Sequence, residues 1–95
     1  MISLEGKVAV VTGGANGIGE ATVRTMVGLG AHVVIADVDE ARSQALVDDL
    51  TASGGSVISC RADILVEDDI AAMIETAVQR FGGLDILHNN AGAPR

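Results

Sequence analysis

Residues 8–19 read VAVVTGGANGIG, an apolar β-branched run that passes directly into a glycine-rich turn. A run that is apolar at every position is typical of a strand covered on both faces of a parallel sheet. After the turn, small and apolar residues follow helical spacing, namely Ile18, Ala21, Thr22, Thr25, Met26 and Leu29. Gly28 and Gly30 are expected to end that helix. The stretch therefore predicts a strand, a turn and a helix.

The rest of the chain repeats this alternation of strands and helices. Further strands are predicted at residues 32–36, 56–60 and 84–88, and a second helix over about 40–52. A third helix has the most regular apolar pattern, formed by Ile70, Met73, Ile74, Ala77, Val78 and Phe81. Such alternation implies right-handed crossovers and a parallel sheet. The predicted fold is α/β, a Rossmann-type doubly wound parallel sheet truncated to about four strands and three helices.

Size and composition restrict the class of protein. Ninety-five residues, 48% of them hydrophobic, form one small domain. A formal net charge of −7 argues against nucleic acid and anionic membranes as partners. The single cysteine fits a reducing compartment. No basic-then-apolar leader follows Met1 and no apolar run approaches the ~20 residues that span a bilayer, so a cytoplasmic location is expected.

The glycine-rich turn is a candidate anion site. A helix amino terminus offers backbone N–H groups and the positive end of its dipole, and glycines let the backbone approach a pyrophosphate. An ordinary turn between a strand and a helix is the alternative, and Gly13, Gly17 and Gly19 alone do not decide between them. The turn lacks a Gly-Lys-Ser/Thr sequence, so it is not a nucleoside-triphosphate P-loop.

The pattern Thr-Gly-x-x-x-Gly-x-Gly resembles the cofactor turn of the short-chain dehydrogenase/reductase family. Three further motifs match that family in order and spacing. Asp37 ends the second strand, Asp63-Ile64 follows the third, and Asn89-Asn90-Ala91-Gly92 follows the fourth. The resemblance covers essentially the whole chain. Residues 1–95 are identified as the amino-terminal part of a single dinucleotide-binding domain, without a second domain, from an NAD-preferring member.

The resemblance implies a role for each residue of the turn. Gly13, Gly17 and Gly19 would shape it around the pyrophosphate, and the backbone from Asn16 to Ile18 would face the phosphates and the neighbouring ribose. Asp37 would accept hydrogen bonds from a ribose 2′-hydroxyl and repel a 2′-phosphate, which favours NAD over NADP. Asn16 agrees, because NADP-preferring relatives often carry a basic residue nearby.

The motifs on the later strands would hold the rest of the dinucleotide. By resemblance, Asp63 binds the adenine edge, Ile64 packs on the ring, and Asn90, Ala91 and Gly92 run beside the cofactor ribose. Thr12 and Asn89 are interpreted as structural ties between the first and fourth strands.

Both carboxylates have an alternative role as helix caps. Asp37 could cap the second helix, although Asp39 is the better candidate. Asp63 could cap the third. Leu65-Val66 stand where the family commonly has a hydroxyl or acidic residue, which predicts weak capping there. Glu67, Asp68 and Asp69 remain to favour the helix dipole.

The family's chemistry uses a Ser and a Tyr-x-x-x-Lys motif, and its members are well over twice this length. This chain has no tyrosine, and its only lysine is Lys7. No catalytic residue is therefore assigned, and the 95-residue chain alone is expected to be inactive. It is also expected to be marginally stable, because the fourth strand would have an unpaired edge. No metal site is predicted, and His32 and His88 are interpreted as structural.

The resemblance implies an NAD-dependent oxidoreductase acting on CH–OH groups, with NAD(H) and a small alcohol or carbonyl compound as its partners. Family members are usually homo-oligomeric. Two alternatives stay open at this point. One is a non-catalytic module that binds a nucleotide or a partner. The other is an S-adenosylmethionine-dependent methyltransferase, whose pattern would not account for Asn-Asn-Ala-Gly.

Overall fold

The protein is described by a computed structural model for residues 2–90, in which helices and strands alternate along the chain. The elements are β1 (Val8–Thr12), α1 (Gly17–Gly28), β2 (His32–Asp37), α2 (Glu40–Ala52), β3 (Ser56–Arg61), α3 (Glu67–Phe81) and β4 (Ile86–Asn89). The strands form one parallel sheet in the order β3-β2-β1-β4. The predicted parallel α/β fold with four strands and three helices is confirmed.

The core has two layers because β1 and β2 are covered on both faces. On one face, Val11 and Ile35 pack with Val23 of α1 and Leu46 of α2. On the other, Val10 and Val34 pack with Met73 and Ala77 of α3. Alternate side chains of a strand point to opposite faces, so a strand between two helical layers has to be apolar at every position. This requirement explains the unbroken apolar run at the start of β1.

Helix α1 packs only part of its periodic stripe against the sheet, since Met26 contacts the core but the amino-terminal half of the stripe does not. Gly19 and Val23 are buried, whereas Ile18 is 76% exposed. Ile18, Ala21, Thr22 and Thr25 line a surface groove instead. The residues of α1 are mostly small or apolar, so two neighbouring stripes fit helical spacing. Gly19 decides which stripe is buried. Because it has no side chain, the stripe that contains Gly19 and Val23 can approach the turn after β1.

The two edge strands of the sheet are β3 and β4. Within residues 2–90, β4 pairs only with β1. Asp85 ties the start of this strand to β1: its N–H donates to the Val8 carbonyl at 2.8 Å, and its carboxylate accepts from the Val8 N–H at 2.9 Å. Leu87 of β4 and Val78 of α3 are each about half exposed. No helix in the described part of the chain is long and apolar enough to span a membrane.

Candidate functional site

Because the strands are parallel, the predicted site residues follow their carboxyl ends and lie at the same end of the sheet. Thr12 pairs in register with Ala36 of β2 and with Asn89 of β4, and Asp37 pairs with Arg61 of β3. The glycine-rich turn after β1 therefore lies between the carboxyl ends of β2 and β4. In open α/β sheets, ligands bind in the crevice outside the carboxyl ends of the strands.

The glycines of the turn meet two different requirements. Gly13 and Gly17 have φ angles of 65° and 59°, a left-handed conformation that side chains disfavour. A Cβ on Gly17 would meet nothing within 4 Å, so the space outside it is open. A Cβ on Gly19 would collide with the Gly13 carbonyl oxygen and would lie 2.8 Å from Asn90 Nδ2. Gly19 is therefore required by contact and Gly17 by backbone conformation.

The amino terminus of α1 opens onto the same space. Asn16 precedes the helix in an extended conformation, with φ of −155° and ψ of 170°, and its side chain does not cap the helix. The first N–H groups of a helix lack partners within the helix and carry the positive end of its dipole. The start of α1 is therefore a favourable place for an anion to bind to backbone N–H groups.

The Asp37 side chain is held against the turn by two backbone groups. Its Oδ2 accepts a hydrogen bond from the Ala15 N–H at 3.1 Å, and its Oδ1 accepts from the Asp39 N–H at 2.9 Å. Asp39, not Asp37, caps α2 by accepting from the Arg42 N–H at 3.0 Å. The interpretation of Asp39 as the cap is confirmed. An ionised carboxylate has about four acceptor positions, so Asp37 keeps capacity for further donors.

Asp63 lies in the loop between β3 and α3 and does not cap the helix. Its Oδ1 accepts from the Leu65 N–H at 2.9 Å. Val66 is the residue before α3, and no side-chain hydrogen bond caps the helix there. The predicted weak capping at Leu65-Val66 is confirmed, and Glu67, Asp68 and Asp69 form an acidic first turn. Ile64, beside Asp63, is partly buried.

The end of β4 is tied to the turn by two side chains. The Thr12 hydroxyl donates to Asn89 Oδ1 at 2.9 Å, and Asn90 Nδ2 donates to the Gly13 carbonyl at 3.3 Å. The interpretation of Thr12 and Asn89 as a tie between β1 and β4 is confirmed. Ala91 and Gly92, the remaining predicted site residues, lie outside the described residues.

A cleft between α1 and α2 adjoins the turn. It has a volume of about 420 Å³ and is lined by Ala15, Glu20, Arg24, Arg42, Ala45, Leu46 and Asp49. Arg24 donates to Asp49 of α2 at 2.8 Å and to Glu20 of its own helix at 2.9 Å. These hydrogen bonds, to Asp49 first and then to Glu20, raise the pKa of Arg24. Sequence reasoning missed the pair with Asp49, because residues 25 positions apart share no local pattern.

The histidines do not form a metal site with other residues in the described part of the chain. No group of three or more potential ligands comes together there. The His32 ring lies 2.7 Å from the Ser56 hydroxyl and stacks on Phe81 with a centroid distance of 5.0 Å. His32 thus lies at the amino end of β2, away from the glycine-rich turn.

The turn, the acidic end of β2 and Asn90 after β4 lie together at the carboxyl end of an open parallel sheet, the position at which α/β folds bind ligands. The family model for short chain dehydrogenases matches residues 7–95. The chain belongs to this family, which confirms the resemblance drawn from its motifs.

Individual relatives agree with this assignment. The chain is 52% identical over 90 residues to sex determination protein tasselseed-2 of Zea mays, covering 94% of this chain and 26% of that protein. It is 43% identical to a 2,5-dichloro-2,5-cyclohexadiene-1,4-diol dehydrogenase of Sphingobium indicum, covering 100% and 37%. A solved short-chain dehydrogenase/reductase from Burkholderia phymatum in complex with NAD superimposes with a TM-score of 0.87 and 38% identity, covering 92% and 31%. The chain thus spans roughly a quarter to two fifths of these relatives.

Proposed function

We propose that this chain binds NAD and forms the cofactor-binding part of an oxidoreductase that transfers hydride between NAD(H) and an alcohol or carbonyl substrate. The observation that carries the proposal is the Asp37 carboxylate, which two backbone N–H groups fix beside the glycine-rich turn. The family membership and the NAD complex of the Burkholderia relative support the same cofactor class.

The described turn fits a pyrophosphate. The space outside Gly17 is open, and α1 begins at this residue without a side-chain cap, so its first N–H groups stay available to a ligand. In this proposal the backbone of Asn16, Gly17 and Ile18 donates to the phosphates, while Gly13 and Gly19 shape the turn. When bound, NAD supplies the carbon that accepts or donates hydride. The residues of this chain bind and orient it.

Asp37 is proposed to select NAD over NADP. A carboxylate accepts hydrogen bonds from ribose hydroxyls, whereas a 2′-phosphate would place like charges next to each other. The side chain cannot rotate away without breaking its bonds to the Ala15 and Asp39 N–H groups, and each lost bond costs about 0.5–1.5 kcal/mol. The fixed carboxylate therefore acts as a barrier to a 2′-phosphate as well as an acceptor.

The adenine of NAD is proposed to lie at the end of β3, and a ribose of the cofactor at the end of β4. Asp63 Oδ1 is engaged by the Leu65 N–H, whereas Oδ2 makes no hydrogen bond or ion pair within residues 2–90 and stays an acceptor for the adenine amino group. Ile64 would pack on the adenine ring. Asn90, held by the Gly13 carbonyl, would run beside the ribose together with Ala91 and Gly92.

Calorimetric titration of the 95-residue chain with NAD and NADP tests the selection. We expect NAD to bind more tightly by about ten-fold or more, which corresponds to 1.4 kcal/mol. In Asp37→Asn the side chain keeps its size and one acceptor oxygen but loses its charge, so the preference should fall most of the way to parity. Asp48→Asn removes a charge from the exposed face of α2 and should leave the preference unchanged. Equal affinities of the unaltered chain, or an undiminished preference in Asp37→Asn, would contradict the role of Asp37.

The chain by itself is proposed to lack turnover. It contains no tyrosine, and its single lysine, Lys7, directly precedes β1 at the amino end of the sheet, opposite the turn. Incubation with NAD and a panel of secondary alcohols should give no NADH absorbance above a protein-free control. NADH formation that scales with protein concentration would overturn this expectation. A cytoplasmic location and a homo-oligomeric whole protein stay predictions.

A further inference from the structure

Asp69 connects the first turn of α3 to the loop that carries Asp63. Its Oδ2 accepts a hydrogen bond from the Asp63 N–H at 3.0 Å, and the Arg61 guanidinium lies 3.8 Å from the same oxygen. The Asp69 side chain is 28% exposed, compared with 54% for that of Arg61. One helical side chain thus contacts both the last residue of β3 and the loop that follows it.

Several other polar groups of this loop are also engaged. The Asp63 carbonyl accepts from the Val66 N–H at 2.9 Å, and its Oδ1 accepts from the Leu65 N–H at 2.9 Å. The Ala62 N–H donates to the Asp37 carbonyl at 3.2 Å and ties the loop to β2. Among the polar atoms of Asp63, Oδ2 alone makes no hydrogen bond or ion pair within the described residues.

Asp69 differs from its two acidic neighbours. Glu67 and Asp68 are exposed and, in the described part of the chain, make no side-chain hydrogen bond or ion pair. All three can interact favourably with the dipole of α3. The interaction with the dipole is common to all three residues, so it does not account for the hydrogen bond between Asp69 and the Asp63 backbone.

We propose that Asp69 is a positioning residue for adenine recognition. It holds the Asp63 backbone so that the free Oδ2 is presented to the adenine amino group. This inference rests on the proposed NAD binding and on the adenine role of Asp63. No side-chain hydrogen bond caps α3, and the bond that the Asp63 N–H donates to Asp69 Oδ2 ties the Asp63 amide to the helix.

The test compares NAD with nicotinamide hypoxanthine dinucleotide, in which a carbonyl oxygen replaces the amino group at C6 of the base. Calorimetry on the 95-residue chain should show a preference for NAD. In Asp69→Leu, loss of one hydrogen bond should weaken NAD binding roughly three- to ten-fold and leave the hypoxanthine analogue nearly unchanged. Asp69→Asn keeps an acceptor oxygen and should restore the preference. Asp68→Leu, with the same loss of charge in the same turn, should keep it.

The outcomes separate the two proposals. If the unaltered chain does not bind NAD, the proposed function is wrong. If it binds both dinucleotides equally, the adenine role of Asp63 is wrong, and with it the inference about Asp69. If the unaltered chain prefers NAD and Asp69→Leu keeps the full preference, or weakens both dinucleotides equally, the inference about Asp69 is wrong.

Hydrogen exchange gives a test that needs no folded variant. In the unaltered chain, the Asp63 amide should exchange slowly compared with the amides of Glu67 and Asp68, which lie in the uncapped first turn of α3. An Asp63 amide that exchanges as fast as these two would contradict the bond to Asp69 and overturn the inference. Slow exchange together with the loss of preference in Asp69→Leu supports it.

Discussion

Gly19→Ala is expected to abolish NAD binding and to destabilise the chain by about 3 kcal/mol, the upper part of the usual range for overpacking. The added Cβ would collide with the Gly13 carbonyl oxygen and crowd Asn90 Nδ2. A carbonyl oxygen of the main chain cannot rotate away as a side chain can. The turn itself would therefore have to move, and with it the N–H groups proposed to bind the pyrophosphate. Urea denaturation measures the first effect and calorimetry the second.

The same helix contains a matched control for this substitution. Gly28 is exposed at the end of α1, and a Cβ there would meet nothing within 4 Å. Gly28→Ala should keep NAD affinity and raise the free energy of unfolding by a few tenths to about 1 kcal/mol, because alanine favours a helix over glycine. A Gly19→Ala protein with the affinity and stability of the unaltered chain would show that the turn does not need glycine at this position.

The order of the site motifs could be predicted from the sequence because the sheet is parallel. Each motif follows a strand, and the carboxyl ends of parallel strands meet at one edge. The structure brings Asp37 and Asn90 into contact with the glycine-rich turn there, and Asp63 follows β3 at the same end of the sheet. Asp39 could be identified as the cap of α2 for a related reason, since capping depends on a side chain and an N–H only three residues apart.

The contacts that hold these residues in place could not be predicted. The bond from Ala15 to Asp37 spans 22 residues and that between Arg24 and Asp49 spans 25, so neither leaves a periodic pattern. Asp69 is closer to Asp63, but its position in an acidic first turn indicates only a favourable interaction with the helix dipole. The buried face of α1 was ambiguous for another reason: its small residues fit two adjacent stripes. In each case the missing information is a three-dimensional contact.

Ile35→Ala is expected to cost about 2–5 kcal/mol, the usual range for removing a large aliphatic side chain from a core. Ile35 belongs to β2, and its side chain is fully buried under α1 and α2. A chain of 95 residues has roughly 5–14 kcal/mol of stability in total, at about 0.05–0.15 kcal/mol per residue. With Leu87 and Val78 half exposed at the β4 side, we expect this chain to lie near the lower limit. Urea denaturation should therefore show Ile35→Ala partly unfolded without denaturant.

Two further variants calibrate this result. Ile2→Ala removes the same atoms from a side chain that is 74% exposed, so it should change stability by less than about 0.5 kcal/mol. Ile35→Val should cost about 0.5–1.5 kcal/mol and leave enough folded protein for binding measurements. If Ile35→Ala were as harmless as Ile2→Ala, the layer under α1 and α2 would not be the core of this chain.

NAD itself distinguishes a weakened core from a damaged site. A ligand that binds only the folded state at 100 times its Kd stabilises it by about 2.7 kcal/mol. Because Ile35 is buried in the core with α1 and α2 and is not one of the residues proposed to bind the cofactor, NAD should raise the unfolding midpoint of Ile35→Val as much as that of the unaltered chain. In Gly19→Ala the same concentration should give no shift. If NAD rescued Gly19→Ala but not Ile35→Val, the proposed cofactor site would have been placed in the wrong part of the fold.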